Sequence, residues 1–433
     1  MIRGRSPAGG IFLLCGFFCF SCATLSFAPD TPRNVPPDHF GMAHAGGTRA
    51  AGEYALLDEL GVVWMRRTFD WESIEAEPEG WDFTEWDAYV EAGKGAGKKI
   101  LATLAYDVGW IYGEKKPRRH IKPEAIPYFL RYVETVVRRY RGKIDAFEIW
   151  NEPNNPFYFW KGPDRDFFEL SRAAARRIKE IDPAVTVVAG SYWLVPERFI
   201  RGMFESGAME NVDALSFHPY GASPRAVLRM YDRLVRIISE YRFTGEIWVT
   251  EVGFPTRGVY WGGVNEDNYP EYIVKTLAGL AARGVRVNFW YELFDKYNRD
   301  EAPSRLNPSL HFGVAYPDYT RKRGAAAFAL CGRYLAGTEY RPLPSGGEEL
   351  PASLTRLYFR GSGGESVLLL WNDGAPAALR VSLPGTEQTR HDIISGAEEA
   401  VAGTTELLVG RTPLILTWRE APDSPPPLLR GPR

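Results

Sequence analysis

The chain has 433 residues, 52 of them basic and 54 acidic, and its formal net charge of −2 excludes the strongly basic surface typical of nucleic-acid-binding proteins. With 45% hydrophobic and 24% charged residues, the composition excludes an intrinsically disordered chain. This length suits two or three domains, or one large barrel with an additional unit.

The first 28 residues have the pattern of a secretory signal peptide. Arg3 and Arg5 precede an apolar run at 11–20, and residues 26–28 (Ser-Phe-Ala) form a small-x-small cleavage site. The run of about ten residues is shorter than the roughly 20 needed to cross a bilayer as a helix. We therefore predict a secreted, periplasmic or cell-envelope protein without a membrane span; the alternative is lipid anchoring at Cys22.

The cysteines give a second indication about the mature chain. Cleavage after Ala28 leaves Cys331 as its single cysteine, which predicts that it has no internal disulfide and depends on its core. Cys331 lies in an Ala-rich helical segment, where we predict a small, buried, apolar residue.

Eight units, each a short apolar strand followed by a helix, occupy residues 38–336. The strands are predicted at 39–44, 62–69, 99–107, 146–149, 185–190, 213–220, 247–250 and 285–293. The helices are predicted at 53–60, 85–96, 125–141, 165–181, 195–206, 224–241, 269–283 and 324–335. Continuous apolar runs indicate strands buried on both faces, and the eightfold alternation predicts an α/β protein with a closed (β/α)8 (TIM) barrel. The alternative, a doubly wound open sheet, requires a Gly-rich phosphate loop, which residues 45–48 match poorly.

Composition changes on both sides of the barrel. Residues 29–37 are a Pro-rich linker. Residues 337–420 contain short strands separated by Gly-rich turns without helical periodicity, which predicts a small antiparallel β-sandwich domain that packs on the barrel. Residues 421–433 contain a Pro run and are predicted to be a disordered tail.

Two predicted strand ends each deliver a glutamate. The fourth strand ends in the turn Trp-Asn-Glu-Pro-Asn, which contains Glu152, and the seventh ends at Glu251. Barrel enzymes carry their catalytic groups at the carboxyl ends of the strands. Hydrolysis of a glycosidic bond needs a proton donor and a carboxylate on opposite sides of the anomeric carbon. We therefore predict that Glu152 and Glu251 face each other across a sugar.

The motif WNEPN around Glu152 and the motif WVTEVGFPT around Glu251 resemble those of the clan A retaining glycoside hydrolases. The resemblance is greatest to glycoside hydrolase family 39 and its bacterial relatives, with family 5 next, and covers about residues 38–335. It implies that Glu152 is the general acid/base and Glu251 the nucleophile. It also implies that Asn151 hydrogen-bonds the sugar 2-hydroxyl.

The same resemblance implies further substrate-binding residues. His218 and Tyr220, in the motif HPY at the end of the sixth strand, flank the nucleophile. Arg67 near the end of the second strand holds the nucleophile ionised. Trp290 on the eighth strand is the aromatic platform under the reactive sugar. Glu292 departs from the aspartate that the resemblance implies at this position.

Other candidates follow from position alone. Those that could line sugar subsites at the ends of the first three strands are Asp107, Trp110, Trp71 and His44. Those that could contact the leaving group are Tyr158 and Trp160. Glu148 lies one pleat below the mouth and is predicted to pair inside the barrel.

The sequence predicts no metal and no cofactor, because the six histidines are scattered, no Cys-x-x-Cys lies outside the predicted signal peptide, and Walker and Gly-x-Ser-x-Gly motifs are missing. The predicted partner is carbohydrate, and the protein is predicted to be a monomer. The predicted activity is hydrolysis of an oligo- or polysaccharide by a retaining β-glycosidase using double displacement. The alternatives are a barrel that binds polysaccharide without cleaving it, as in envelope or exopolysaccharide assembly, and an inverting hydrolase with more widely separated carboxylates.

Overall fold

The computed structural model describes residues 29–47, 50–256, 264–297, 307–344, 350–421 and 423–431. The predicted signal peptide and Cys22 lie outside these ranges. Within them, no helix combines the length and the apolar character needed to cross a membrane.

Eight parallel strands close into a barrel, which confirms the predicted (β/α)8 fold. The first nine strands of the chain are β1 (Arg33–Asn34), β2 (Phe40–Ala43), β3 (Trp64–Asp70), β4 (Lys99–Ala105), β5 (Ala146–Ile149), β6 (Thr186–Trp193), β7 (Ala214–His218), β8 (Glu246–Val252) and β9 (Asn288–Trp290). Strands β2 to β9 pair in sequence order, and β9 also pairs with β2, which completes the ring.

Helices follow the barrel strands. They are α1 (Ala51–Glu59), α2 (Trp71–Ile74), α3 (Thr84–Gly95), α4 (Ile126–Arg139), α5 (Asp164–Ile181), α6 (Glu197–Glu205), α7 (Pro224–Ser239), α8 (Tyr269–Ala282) and α9 (Gly324–Leu335). Short 3-10 turns lie at Gly109–Tyr112, Pro123–Ala125 and Pro308–Leu310. Helix α7 shows how the sequence sets a boundary: the Ser223 side chain accepts a hydrogen bond from the N–H of Ala226, and Pro224 occupies the first turn.

The inside of the barrel is filled by large side chains near its amino end. The ring of Trp64 lies 5.1 Å from that of Trp248 and 6.3 Å from that of Phe289, centroid to centroid. Side chains alternate along a strand, so Arg66, two residues after Trp64, also points into the barrel. This apolar layer closes the barrel floor and leaves the carboxyl end for polar groups.

Two antiparallel sheets follow the barrel. Their strands are β10 (Thr338–Arg341), β11 (Leu354–Gly361), β12 (Glu365–Asn372), β13 (Ala377–Ser382), β14 (Thr386–His391), β15 (Glu398–Ala400), β16 (Thr404–Val409), β17 (Leu414–Arg419) and β18 (Leu428–Arg430). The larger sheet has the order β1-β10-β11-β12-β17-β14-β15 and the smaller β16-β13-β18. Alternate residues of the two sheets, among them Leu368, Val381 and Leu416, form the sandwich core.

Both predicted boundaries of this domain need correction. Strand β1, in the predicted linker, pairs with β10, so the start of the described chain belongs to the larger sheet. Strand β18, in the predicted disordered tail, pairs with β13 through Arg380 and Arg430, and Leu429 is buried in the sandwich core. Of the apolar pair Leu428-Leu429, Leu429 points into the sandwich core. The sequence argument overlooked this short strand because the segment around it is rich in proline.

The sandwich packs on α8 and α9. The opposite faces of β11 and β12, with Phe359 and Trp371, join the hydrophobic core of the barrel. Nearly every residue of α8 is buried, as expected for a helix covered on both sides. A buried lysine of α8, Lys275, donates to Asp373 of the sandwich at 2.7 Å. The predicted packing of the C-terminal domain against the barrel is therefore confirmed, and Cys331 in α9 is buried as predicted.

Candidate active site

Glu152 lies in a sharp turn immediately after β5. Trp150 and Glu152 have φ angles of 66° and 47°, a left-handed conformation that is uncommon outside glycine and often found at functional sites. The turn directs the carboxylate into the barrel mouth, where its Oε2 accepts a hydrogen bond from Asn155 Nδ2 at 2.9 Å. Its Oε1 lies 3.0 Å from His218 Nδ1. Both oxygens are thus held in place before any ligand binds.

Glu251 lies near the end of β8, where the pairing with β9 shifts register between Val249 and Val252. Such an irregularity re-aims side chains at the rim of a barrel. Arg66 Nη1 donates to Glu251 Oε1 at 2.5 Å, and the Tyr220 hydroxyl donates to Oε2 at 2.7 Å. The second carboxylate is therefore fixed by one cation and one hydroxyl.

The two carboxylates face each other at close range. One oxygen of Glu152, one of Glu251 and one ring nitrogen of His218 all lie within 4.8 Å of one another. Each glutamate is only 7% exposed. This separation fits the roughly 5–5.5 Å between carboxyl groups of retaining glycosidases rather than the 6.5–9.5 Å of inverting ones.

The surroundings of Glu251 keep it ionised. Burial alone raises the pKa of a carboxyl group, but the charges of His218 and Arg66 and the hydrogen bond from Tyr220 lower the pKa of Glu251 to about 2. Burial and the neighbouring Glu251 carboxylate raise the pKa of the Tyr220 hydroxyl well above its usual value, so this hydroxyl remains a donor. At neutral pH the site therefore holds one carboxylate that is fully charged.

Arg66 connects this carboxylate to the barrel interior. Its Nε donates to Glu148 Oε2 at 2.8 Å, and its Nη2 donates to Asn151 Oδ1 at 2.8 Å. Glu148, predicted to pair inside the barrel, also accepts from the hydroxyls of Thr103 at 2.9 Å and Ser216 at 2.8 Å. The guanidinium uses its planar set of donors on three acceptors, so it fixes the orientation of Asn151 and Glu251 together.

The structure corrects the prediction for Arg67. The Arg67 side chain points out of the barrel toward α3. Its guanidinium pairs with Glu85 and lies 5.2 Å from the ring centroid of Tyr89. The neighbouring Arg66 makes the contact with Glu251 that we expected of Arg67. Successive side chains of a strand point to opposite faces, and the prediction chose the wrong one of two adjacent arginines.

The prediction for Trp290 is wrong for the same reason. Its ring is fully buried against Phe254, Tyr269 and Phe328 on the helix side of the barrel wall. Tyr291, the next residue, faces the site: its ring lies 6.2 Å from that of Tyr220. Any aromatic platform contributed by β9 or its exit is therefore Tyr291.

Several other candidates do not reach the two glutamates. Asp107 is buried and accepts hydrogen bonds from the N–H groups of Arg118 and Arg119 at 2.7 and 2.9 Å, so it orders the loop after β4. Burial raises the pKa of Asp107, against the lowering by these hydrogen bonds. Trp110, Trp71 and Trp160 pack among helices and loops behind the strand ends.

Two candidates do lie at the rim. His44 at the end of β2 has its Nδ1 3.3 Å from Glu292 Oε2, and its ring lies 5.0 Å from that of Tyr291. A positive charge on His44 lowers the pKa of Glu251. Tyr158, in the loop after Glu152, is 69% exposed.

Besides Arg66 and Tyr291, the sequence argument missed two further site residues. Tyr106, the first residue after β4, has its hydroxyl beside the Asn151 amide, and Asn155 holds Glu152. Alternation along β4 continues from the inward Leu101 and Thr103 to Ala105 and Asp107, so it gave no signal for Tyr106. The second asparagine of Glu-Pro-Asn-Asn was the available signal for Asn155, since asparagine commonly bonds to nearby groups in turns.

Glu152, His218 and Glu251 are also residue types that bind metal ions. In the described part of the chain they form the one group of three or more such residues close enough to share an ion. All four carboxylate oxygens, however, already face protein groups: Asn155, His218, Arg66 and Tyr220. The Arg66 guanidinium, which is bonded directly to Glu251, supplies a positive charge where a metal ion would bind, so the group fits a pair of acids better than a cation site.

Fold and site together define the class: a (β/α)8 barrel with two carboxylates facing each other at its carboxyl end. Within that class, residues 121–230 match the family described as Glycosyl hydrolases family 39. The resemblance to glycoside hydrolase family 39 that the two motifs predicted is therefore confirmed.

One curated relative is similar to this chain over a short segment. A segment of 57 residues is 39% identical to a beta-xylosidase from Caldicellulosiruptor saccharolyticus, over 13% of this chain and 11% of that protein. The chain thus matches about a tenth of the length of that curated relative.

Solved structures share the fold over most of their length. A family 39 glycoside hydrolase from Bacteroides cellulosilyticus WH2 superimposes with a TM-score of 0.72 at 20% identity, over 89% of this chain and 81% of that one. A monomeric beta-xylosidase from Caulobacter crescentus CB15 does so with a TM-score of 0.63 at 16% identity, over 88% and 96%.

Proposed function

We propose that the chain is a retaining β-glycosidase that hydrolyses O-glycosidic bonds of an oligo- or polysaccharide by double displacement. The observation that carries the proposal is the close approach of the Glu152 and Glu251 carboxylates, with oxygens within 4.8 Å, in a buried site that fixes both. The signal-peptide pattern of residues 1–28 supports action outside the cytoplasm.

Each glutamate has a distinct role in this reaction. Glu251 attacks the anomeric carbon while Glu152 transfers its proton to the departing glycosidic oxygen, which forms a glycosyl ester and releases the leaving group. Glu152, now a carboxylate, takes a proton from water as the water attacks the same carbon, and Glu251 leaves. The low pKa of Glu251 suits a group that must attack as an anion and depart as one.

The other polar groups bind and orient the sugar. Asn151, held by Arg66 through its carbonyl oxygen, has its amide nitrogen available to donate to the 2-hydroxyl. The rings of Tyr291 and His44 lie 5.0 Å apart, so an aromatic face and an imidazole would contact the same sugar ring. Since two relatives are named beta-xylosidases, β-xylosides are the first substrates to test.

The test is a panel of nitrophenyl glycosides and intact polysaccharides, followed by proton NMR of the first sugar released. We expect hydrolysis of at least one β-glycoside with the β-anomer appearing first. An α-anomer would show inversion, contrary to the short carboxylate separation. Tight binding of a polysaccharide without any product would favour the alternative function, a barrel that binds polysaccharide without hydrolysing it.

Replacement of Tyr220 by phenylalanine tests the electrostatics of the nucleophile. The hydroxyl lowers the pKa of Glu251, so its loss raises that pKa, and the acidic limb of the kcat/KM profile should move to higher pH. A hydrogen bond to a charged group contributes about 1.5–3 kcal/mol, so kcat/KM at neutral pH should fall by about 10- to 100-fold. The control is Tyr241→Phe, which removes a hydroxyl bonded to Glu205 on the outer surface. Equal pH profiles for Tyr220→Phe and wild type would contradict the role of Tyr220.

A further inference from the structure

The loop between Glu152 and α5 exposes two consecutive aromatic side chains. Phe157 is 72% exposed and Tyr158 69% exposed, while most large apolar side chains in the described ranges are buried. They begin only five residues after the proposed acid/base. Exposed aromatic rings grouped at one position indicate a surface that another molecule covers.

A continuous series of rings connects this loop to the active site. The ring of Tyr158 lies 6.1 Å from that of Phe159, which in turn is stacked on Tyr106 with centroids 5.7 Å apart and an angle of 15°. The hydroxyl of Tyr106 lies beside the Asn151 amide. Exposure decreases along the series, from the exposed Tyr158 to the half-buried Phe159 and Tyr106. The series therefore leads from solvent to the edge of the catalytic pair.

Hydrogen bonds hold the loop at residues 155–160 in one conformation. Backbone N–H groups of Phe159 and Trp160 donate to the Asn155 carbonyl at 3.1 and 3.2 Å, and the Trp150 indole donates to the Phe159 carbonyl at 3.0 Å. The Asn155 side chain is also the donor to Glu152 Oε2. The same residue thus holds the aromatic loop and the proton-transferring carboxylate.

We propose that Phe157, Tyr158 and Phe159 form the binding site for the leaving group, and that this leaving group is a pyranose unit of an oligosaccharide. The inference rests on the proposed function. The proton of Glu152 goes to the glycosidic oxygen, so the groups on the Glu152 side of the site contact the part of the substrate beyond that oxygen. Aromatic faces stack against the C–H groups of a pyranose ring.

A neighbouring guanidinium supports the same ligand. The Arg119 guanidinium carbon lies 4.1 Å from the ring centroid of Tyr106, and the Arg119 backbone is fixed by hydrogen bonds to Asp107 and Lys161. Guanidinium N–H groups beside an aromatic face can donate to sugar hydroxyls while the ring contacts the C–H groups. Stacking and hydrogen bonding together recognise a hydroxylated ring rather than an alkyl chain.

The test compares two substrates that carry the same glycosyl group: a β-linked oligosaccharide and the corresponding β-glycosyl fluoride, whose leaving group is too small to touch the loop. For Tyr158→Ala we expect kcat/KM for the oligosaccharide to fall about tenfold, with kcat/KM for the fluoride unchanged within twofold. Phe157→Ala should act in the same direction. The control is Tyr128→Ala, which removes an aromatic ring that is 47% exposed on α4 and should change neither value.

A second measurement uses transglycosylation, in which an acceptor sugar binds where the leaving group was. In the presence of an oligosaccharide acceptor, its hydroxyl attacks the anomeric carbon of the glycosyl-Glu251 ester, Glu152 takes the hydroxyl proton, and the ester bond breaks. Tyr158→Ala should lower the ratio of this transfer product to hydrolysis about tenfold. An unchanged ratio of oligosaccharide to fluoride activity in an active Tyr158→Ala and Phe157→Ala double variant would overturn the inference alone. Absence of wild-type activity on both substrates would overturn the proposed function and the inference with it.

Discussion

Replacing Glu251 with alanine is expected to lower kcat for a β-glycoside on the order of 10⁵-fold, because it removes the carboxylate whose oxygen lies within 4.8 Å of a Glu152 oxygen. Arg66 and Tyr220 would lose their shared acceptor, and a small cavity would replace the carboxylate. Azide, a small anion attracted by Arg66, should enter that cavity and attack the anomeric carbon from the vacated side.

The product of this rescue identifies the role of Glu251. Attack from the nucleophile's face on an activated β-glycoside gives the α-glycosyl azide, which proton NMR distinguishes from the β form. The matched control is Glu246→Ala, at the opposite end of the same strand, where the side chain is exposed and activity should be retained. Wild-type turnover by Glu251→Ala, or no azide product with a good leaving group, would contradict its assignment as nucleophile.

Replacing Glu152 with alanine should give a loss that depends on the leaving group. General acid catalysis typically contributes 10²–10⁴-fold, and that contribution matters most when the departing oxygen is strongly basic. We expect kcat/KM for an oligosaccharide to fall about 10³-fold or more, with a much smaller fall for a dinitrophenyl glycoside, which needs no proton. In this variant azide should instead attack the glycosyl-Glu251 ester and give the β-glycosyl azide.

The comparison of substrates provides the control within one variant. If Glu152→Ala lowers kcat/KM equally for sugar and dinitrophenyl leaving groups, Glu152 does not transfer the proton. His218 would then be the group to test, since its Nδ1 lies 3.0 Å from Glu152 Oε1 and 3.7 Å from Glu251 Oε2.

The sequence was sufficient to predict which strand ends meet, because this depends on strand order in a closed ring. Asn151, Glu152, His218, Tyr220 and Glu251 all follow or end strands β5, β7 and β8, and the structure brings them together. A motif at a strand end shows that its residues lie at the carboxyl end of the barrel, where the catalytic groups of such barrels are found.

The sequence was insufficient to predict which face of a strand each residue occupies. Arg66 and Arg67, or Trp290 and Tyr291, are chemically similar neighbours on strands buried on both faces, where no polar alternation marks the inside. A shift by one residue reverses the direction of the side chain. The direction follows from partners distant in sequence, such as Glu148 for Arg66 and Phe328 for Trp290.

Strand β1 has a consequence for the order in which the protein is made. Arg33 pairs with Tyr340, and the N–H of Val35 donates to the Thr338 carbonyl at 2.7 Å, so β1 has no neighbouring strand until about 300 further residues have been synthesised. Strand β1 can therefore join the larger sheet only after β10 has been synthesised. The larger sheet, whose strands β11 and β12 pack on α8 and α9, is therefore completed only after all the barrel strands have been made.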